Sequence, residues 1–325
     1  MATPPDRPVV VFTRGVPGTP NIPEAHVRMA PDDPRLTRDE LTQYVRGASV
    51  IVSMFHDKVD ADVLDAAGPG LKGVCNFAVG FDNIDLAECA RRGITVCNTP
   101  DAVTEGTANM AWALILAAAR RLIEGDRFVR SGRFEREGNP AITGFLGVHL
   151  TGQNLLIVGP GRIGKAIALR SLAFGMRVLY VSRSRHLEME LAPIAAERVE
   201  LDDGLRRADV VSISTPLTPE TRHLISRDRL RLMKPTSIIV NTARGPIIDE
   251  AALVDALREK RIWGAGLDVF EFEPRVSAGL MELDTCVMTP HIGSAERHFR
   301  EIMTEMVSES ARAILGGRRP PNLVA

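Results

Sequence analysis

Three polar residues of this 325-residue sequence stand where a parallel sheet would present them to a ligand. Arg244 follows the run Ser237–Asn241, Glu273 follows Gly264–Phe270, and His291 follows Thr285–Thr289. Each run reads as a strand, and open parallel sheets bind ligands outside the carboxyl ends of their strands. The residue types are complementary. An arginine forks onto a carboxylate and orients the group beside it. A histidine gives or takes a proton near neutral pH. A glutamate on the other ring nitrogen fixes the tautomer and favours the charged ring. Together they suit reduction of a 2-oxo acid, with a hydride supplied by a cofactor. Singly, each has a plain reading: a surface ion pair for Arg244, a solvated turn for Glu273, a helix cap for His291. Their recurrence at three strand ends favours the chemical one.

The hydride carrier has its own signature. The strand-like run Leu155–Gly159 enters Gly159-Pro160-Gly161-Arg162-Ile163-Gly164, and a helical pattern follows from Lys165. In that setting Gly159 permits the turn, Gly161 lets a pyrophosphate approach the backbone, and Gly164 lets helix and strand pack. The helix start then offers free N–H groups and a positive dipole end. Ser182 stands 18 residues after Gly164, where an NAD site wants an acid for the ribose 2′-OH. Arg183, Ser184 and Arg185 follow. Two arginines there can hold a 2′-phosphate, so NADP(H) is favoured, with NAD(H) left possible.

These residues need a scaffold, and the rest of the sequence supplies an α/β one. Strand signals at Val9–Phe12, Val50–Ser53, Gly73–Asn76 and Ile94–Cys97 alternate with helical stretches such as Arg38–Arg46 and Ile84–Arg92. A single long helix is expected from Thr104 to about Ser131, then an irregular loop over Gly132–Gly147. Six strand signals from Leu155 to Thr289 complete a dinucleotide-binding fold, and a last amphipathic helix runs from Ala295 to about Leu315. Charged residues make up 25%, and the net charge of −1 argues against nucleic acid or a membrane surface as the main partner. Cys75, Cys89, Cys97 and Cys286 form no CxxC pair and no metal spacing, so no metal is expected and the thiols read as reduced and mostly buried. The polar start and the absence of a ~20-residue apolar span give a cytoplasmic expectation.

The chain resembles the D-isomer-specific 2-hydroxyacid dehydrogenase family. The resemblance is carried by Gly159–Gly164, Asn241–Gly245, Gly266–Pro274, Thr289–Ser294, Ala78–Asp85 and Asn98-Thr99-Pro100. It implies two doubly wound parallel-sheet domains, Rossmann-like or flavodoxin-like, with an interdomain cleft. Residues 1–101 and 293–325 would form a discontinuous substrate domain, and 102–292 the dinucleotide domain. It implies Arg244, Glu273 and His291 as the catalytic set, and the N–H groups of Val79 and Gly80 on the substrate carboxylate. Cofactor contacts are implied at Thr107, Pro216, Thr242, Asp268 and Gly293, with Asp268 near the nicotinamide amide, and a homodimer held largely through the cofactor domains.

Within the family the chain is most similar to glyoxylate/hydroxypyruvate reductases, through its Ser-Arg-Ser-Arg loop, its Thr-Ala-Arg-Gly segment and its length. It departs from the family at Pro160 and in the absence of tryptophan from Gly132–Gly147. Phe55 and His56 occupy the substrate-side loop, where Phe55 lines the substrate pocket or fills the core. Rival readings are the same chemistry on another D-2-hydroxy acid, D-3-phosphoglycerate or phosphite, and a dinucleotide-sensing regulator akin to co-repressors.

Overall fold

A computed structural model of the protein describes residues 7–325. The chain divides into two units, one formed by residues up to Val103 together with Ser294–Ala325, the other by Thr104–Gly293.

The first unit is a five-stranded parallel sheet of β1 (Val9–Phe12), β2 (His26–Met29), β3 (Val50–Met54), β4 (Gly73–Phe77) and β5 (Thr95–Cys97), in the order β2-β1-β3-β4-β5. This is the flavodoxin-like order. β3 and β4 are buried at every position, as strands covered on both faces must be. The helix Arg297–Leu315 returns to this sheet and packs on β3, β4 and β5. Gly73 lets it settle there, since a Cβ would stand 2.7 Å from Ile314 Cδ1. The tail then lies antiparallel along β5. Val324 N–H donates to Val96 O (2.7 Å), and Val96 N–H to Ala325 O (2.7 Å).

The second unit contains β6 (Asn154–Val158), β7 (Arg177–Val181), β8 (Glu197–Arg198), β9 (Val210–Ile213), β10 (Ile238–Asn241), β11 (Gly264–Leu267) and β12 (Cys286–Met288). All pairs are parallel, in the order β12-β11-β10-β9-β6-β7-β8. The order reverses between β6 and β9, the switch point of a dinucleotide-binding sheet. The helix Thr104–Ala119 lies across β10, β11 and β12 and against the helix Arg162–Ser171. Trp112 Nε1–H ties these helices by donating to Ile167 O (3.0 Å).

Several local expectations need correction. β8 and β2 carried no strand signal: β8 is two residues long, too few to show a period, and β2, His-Val-Arg-Met at the sheet edge, has no buried position and no apolar run. The long helix is broken into Thr104–Ala119 and Leu122–Arg130, with Arg121 at φ 51°. The break has a physical cause. Trp263 Nε1–H donates to Ala118 O (3.2 Å) and Val148 N–H to Ala119 O (3.0 Å), so partners from outside meet the carbonyls at the helix end. Burial changes there too: the first helix is buried on most of its surface, the second only at Phe128. The segment expected to be irregular contains a short helix, Arg133–Glu137. Among the described residues no helix is long and apolar enough to cross a membrane.

Candidate active site

At the end of β6 the chain turns sharply. Gly159 has φ 95°, and a Cβ there would lie 2.8 Å from Thr215 Cα. A Cβ on Gly164 would meet Gly159 O at 2.4 Å, so only glycine lets the helix sit this close to β6. A Cβ on Gly161, by contrast, would meet nothing within 4 Å. Gly161 caps the helix Arg162–Ser171 with no side-chain hydrogen bond, and no acidic residue lies in its first turn. Arg162 is exposed and Ile163 half-buried.

β7 ends at Val181 and delivers Ser182. Its Oγ lies 3.1 Å from His186 Nε2. Arg183, Ser184 and Arg185 are exposed, and Arg185 pairs with Glu190. Glu190 also accepts from Tyr180 Oη (2.6 Å). Arg198, on β8, donates to Ser182 O (2.9 Å) and Arg183 O (3.0 Å), shaping the loop from below. Sequence reasoning missed Arg198, because the strand that carries it was invisible.

Two further hydroxyls, Ser214 Oγ after β9 and Thr242 Oγ1 after β10, are buried without a hydrogen-bond partner in the chain. Pro216, in the same loop as Ser214, is exposed, and its carbonyl accepts from Thr221 Oγ1 (2.7 Å).

Arg244, Glu273 and His291 follow β10, β11 and β12 at the carboxyl edge of the same sheet. Asn241 shapes the first turn. Its Oδ1 accepts from Ala243 N–H (3.0 Å) and its Nδ2 donates to Arg244 O (2.9 Å). Sequence reasoning placed Asn241 in the segment that carries the resemblance but gave it no role; an asparagine at a strand end before a turn was the available signal. Arg244 Nη1 donates to Ala243 O (2.8 Å).

His291 Nδ1 lies 2.9 Å from Glu273 Oε2, and Glu273 Oε1 accepts from Phe270 N–H (3.0 Å). Burial acts to raise the Glu273 carboxyl. The hydrogen bond and charge of His291, the Phe270 N–H and the charge of Arg244 outweigh it and hold it below its ordinary value. Arg244 therefore bears electrostatically on the pair.

His291 itself sits at φ 56°, an uncommon backbone state for a side-chain-bearing residue. Asp268, at the end of β11, holds that loop. Its carboxylate accepts from Thr289 Oγ1 (2.6 Å), Ile292 N–H (2.8 Å) and Gly293 N–H (2.7 Å). Burial drives its carboxyl above the ordinary value despite these donors and the charge of His291. Thr107, buried on the helix Thr104–Ala119, backs Gly293: a Cβ there would stand 3.5 Å from Thr107 Oγ1.

In the first unit, β3 leads into Phe55 and His56, and β4 into Val79 and Gly80. Phe55 is half-buried, with its ring edge-on to His56 at 5.0 Å between centroids.

Comparison with known proteins places the chain. Residues 112–293 match the family described as D-isomer specific 2-hydroxyacid dehydrogenase, NAD binding domain. A glyoxylate reductase of Thermococcus onnurineus is 48% identical over 98% of this chain and 96% of its own length. A crystal structure of a Thermus thermophilus protein superposes with a TM-score of 0.90 at 42% identity, covering 98% of this chain and 100% of the other. A Sinorhizobium meliloti NADPH-dependent glyoxylate/hydroxypyruvate reductase, solved with NADP and malonate, matches with a TM-score of 0.84 at 32% identity over 98% and 97% of the two chains. The chain belongs to the D-isomer specific 2-hydroxyacid dehydrogenase family and is a nicotinamide-dependent oxidoreductase of small 2-oxo or 2-hydroxy acids.

Proposed function

We propose that the protein reduces glyoxylate or hydroxypyruvate to the corresponding D-2-hydroxy acid with NADPH. The observation that carries this reading is the 2.9 Å pair of His291 Nδ1 with Glu273, close enough to Arg244 for its charge to bear on the carboxylate. Arg244 binds the substrate carboxylate and orients the carbonyl. With Nδ1 engaged by Glu273, Nε2 of His291 is assigned to the carbonyl oxygen, to which it gives a proton as the alkoxide develops. Glu273 fixes the tautomer and supports the charged ring. In the first unit the N–H groups of Val79 and Gly80 are assigned to the carboxylate, and Phe55 to the substrate side. Residues 1–101 with 293–325 serve as substrate domain and 102–292 as dinucleotide domain.

The nicotinamide dinucleotide, when bound, supplies the hydride. The residues present fit such a group: an uncapped helix start, open space over Gly161, and partnerless hydroxyls at Ser214 and Thr242. Gly159, Gly161, Arg162, Ile163 and Gly164 are assigned to the pyrophosphate. Thr107, Pro216, Thr242, Asp268 and Gly293 are assigned to the nicotinamide half. The absence of an acid at Ser182, with Arg183 and Arg185 exposed beside it, supports a 2′-phosphate and therefore NADPH. Names of relatives agree: a glyoxylate reductase at 48% identity, and an NADPH-dependent glyoxylate/hydroxypyruvate reductase at 32%. A homodimer is supported by exposed apolar side chains on the segment from Leu122 to Leu146, where Ile142 is 96% exposed.

A substrate panel tests the proposal. Glyoxylate, hydroxypyruvate and pyruvate are each offered with NADPH and with NADH, and Arg244→Ala is run beside the wild type. Turnover of glyoxylate or hydroxypyruvate with NADPH, and a steep rise in KM with a fall in kcat for Arg244→Ala, are expected. No turnover of any short 2-oxo acid overturns it.

A further inference from the structure

The segment after β4 has an unusual bonding pattern. Three consecutive carbonyls are each held from one partner. Ala78 O accepts from Thr99 N–H (2.9 Å), Val79 O from Asn98 Nδ2 (2.8 Å), and Gly80 O from Asn76 Nδ2 (2.7 Å). The peptide bonds here are trans, and in a trans peptide the C=O and the next N–H point in opposite directions. The N–H groups of Val79, Gly80 and Phe81 therefore each point away from the group that holds the preceding carbonyl. None of the three donates to an acceptor among the described residues. A run of unengaged N–H groups is an anion-binding surface.

Asn76, which holds one of these carbonyls, is itself locked. Asn76 is fully buried. Its Oδ1 accepts from Ser53 Oγ (3.0 Å), and its Nδ2 also reaches Asn83 Oδ1 (3.0 Å). Asn83 Nδ2 donates to Met54 O and Asp57 O, both at 3.0 Å. Asn83 thus ties the loop after β3, which carries Phe55 and His56, to the loop after β4. Only a side chain with donor and acceptor at the same reach can do both tasks; an aspartate would lose the donor and place charge beside a carbonyl.

We propose that Asn76, Asn83 and Asn98 are positioning residues for substrate binding. By holding the carbonyls of Val79 and Gly80 and the carbonyls of the neighbouring loop, they orient the N–H groups of Gly80 and Phe81, which with the Val79 N–H, set by the Thr99 N–H on Ala78 O, form one three-donor cradle for the substrate carboxylate. The inference rests on the assignment of Val79 and Gly80 to that carboxylate, and it adds Phe81 N–H as a third donor.

The test uses Asn98→Ala, which removes a single bond at a half-buried site, and Asn83→Ala, which releases both loops. Oxalate is titrated calorimetrically into NADPH-saturated wild type and variants, and glyoxylate kinetics, NADPH affinity and thermal melts are measured alongside. Each variant should weaken oxalate and raise the glyoxylate KM by about tenfold or more, the equivalent of ~1.4 kcal/mol. NADPH affinity should be unchanged and kcat should fall far less than KM rises. Folded variants with unaltered oxalate affinity and KM overturn the proposal, as does a parallel loss of NADPH affinity, which would mark a general structural role. The reading of the reaction fails separately: wild type that reduces no 2-oxo acid refutes that reading, while oxalate binding still decides the role of the asparagines. Wild type that binds no oxalate refutes the cradle.

Discussion

Gly245 lies directly against the backbone of Phe270, so closely that a Cβ on Gly245 would stand 1.9 Å from the Phe270 carbonyl carbon and 2.0 Å from its oxygen. One strand end carries Arg244 and the other leads to Glu273, so this contact sets the distance between the proposed carboxylate-binding and histidine-holding residues. Gly245→Ala must push the two strand ends apart. A shift of ~1 Å costs on the order of 10²-fold in rate when it misaligns reacting groups. The expected result is that loss in kcat/KM with NADPH binding retained, measured by steady-state kinetics and cofactor fluorescence.

The bond between Glu273 and His291 makes a prediction about pH. The Glu273 carboxyl is held below its ordinary value of 4.5 in the folded protein. A depressed carboxyl stabilises the fold fully above its unfolded value, and that contribution is lost as pH falls through the folded value. Glu273→Gln should therefore melt below the wild type at neutral pH, and the gap should shrink as pH drops from about 4.5 downward. Calorimetric melts across pH 7 to 3 check this. In kinetics at neutral pH the same variant should lose on the order of 10²-fold in kcat, the lower end of what a supported proton donor contributes.

Cofactor choice rests on the loop after β7. Ser182→Asp restores the acid that a ribose 2′-OH prefers and sets a negative charge against a 2′-phosphate. The ratio of kcat/KM for NADPH to that for NADH should fall by at least about tenfold, the equivalent of ~1.4 kcal/mol. Arg183→Ala should lower the same ratio without improving use of NADH. Arg198→Ala should disturb both cofactors, because Arg198 holds the carbonyls of Ser182 and Arg183.

The four cysteines are free and buried. Burial pushes the Cys286 thiol up to about 12 and the Cys89 thiol up to about 11. A thiol reagent at pH 8 should find the native protein unreactive over minutes, and should find all four thiols after unfolding in guanidinium. Rapid modification of the native protein would show that one of them is exposed by motion.

What could be seen in advance followed from features that write themselves into short stretches. The turn at Gly159–Gly164 was legible because its glycines stand between a strand and a helix start, and a strand such as β3 because it opens on the β-branched run Val50–Val52. Arg244, Glu273 and His291 were legible as residues after strands. Their separation was not, since Gly245 against Phe270 and Asp268 beneath the Thr289–Gly293 loop are long-range relationships. The helix break at Arg120–Arg121 depends on Trp263, more than a hundred residues away. β8 is two residues long and leaves no period at all. Asn76 stood at the end of a strand signal and Asn83 and Asn98 in segments that carry the resemblance, but none had a role of its own until the carbonyls they hold were known.

The strip of tail along β5 has a consequence for how the first unit behaves among its own copies. An outermost parallel strand ordinarily offers a ladder of vacant amides that another molecule can zip onto. Here Asn322–Ala325 already occupy that ladder, running the opposite way. The β5 margin is sealed by the protein itself, and the sheet can stay self-contained on that side at high concentration.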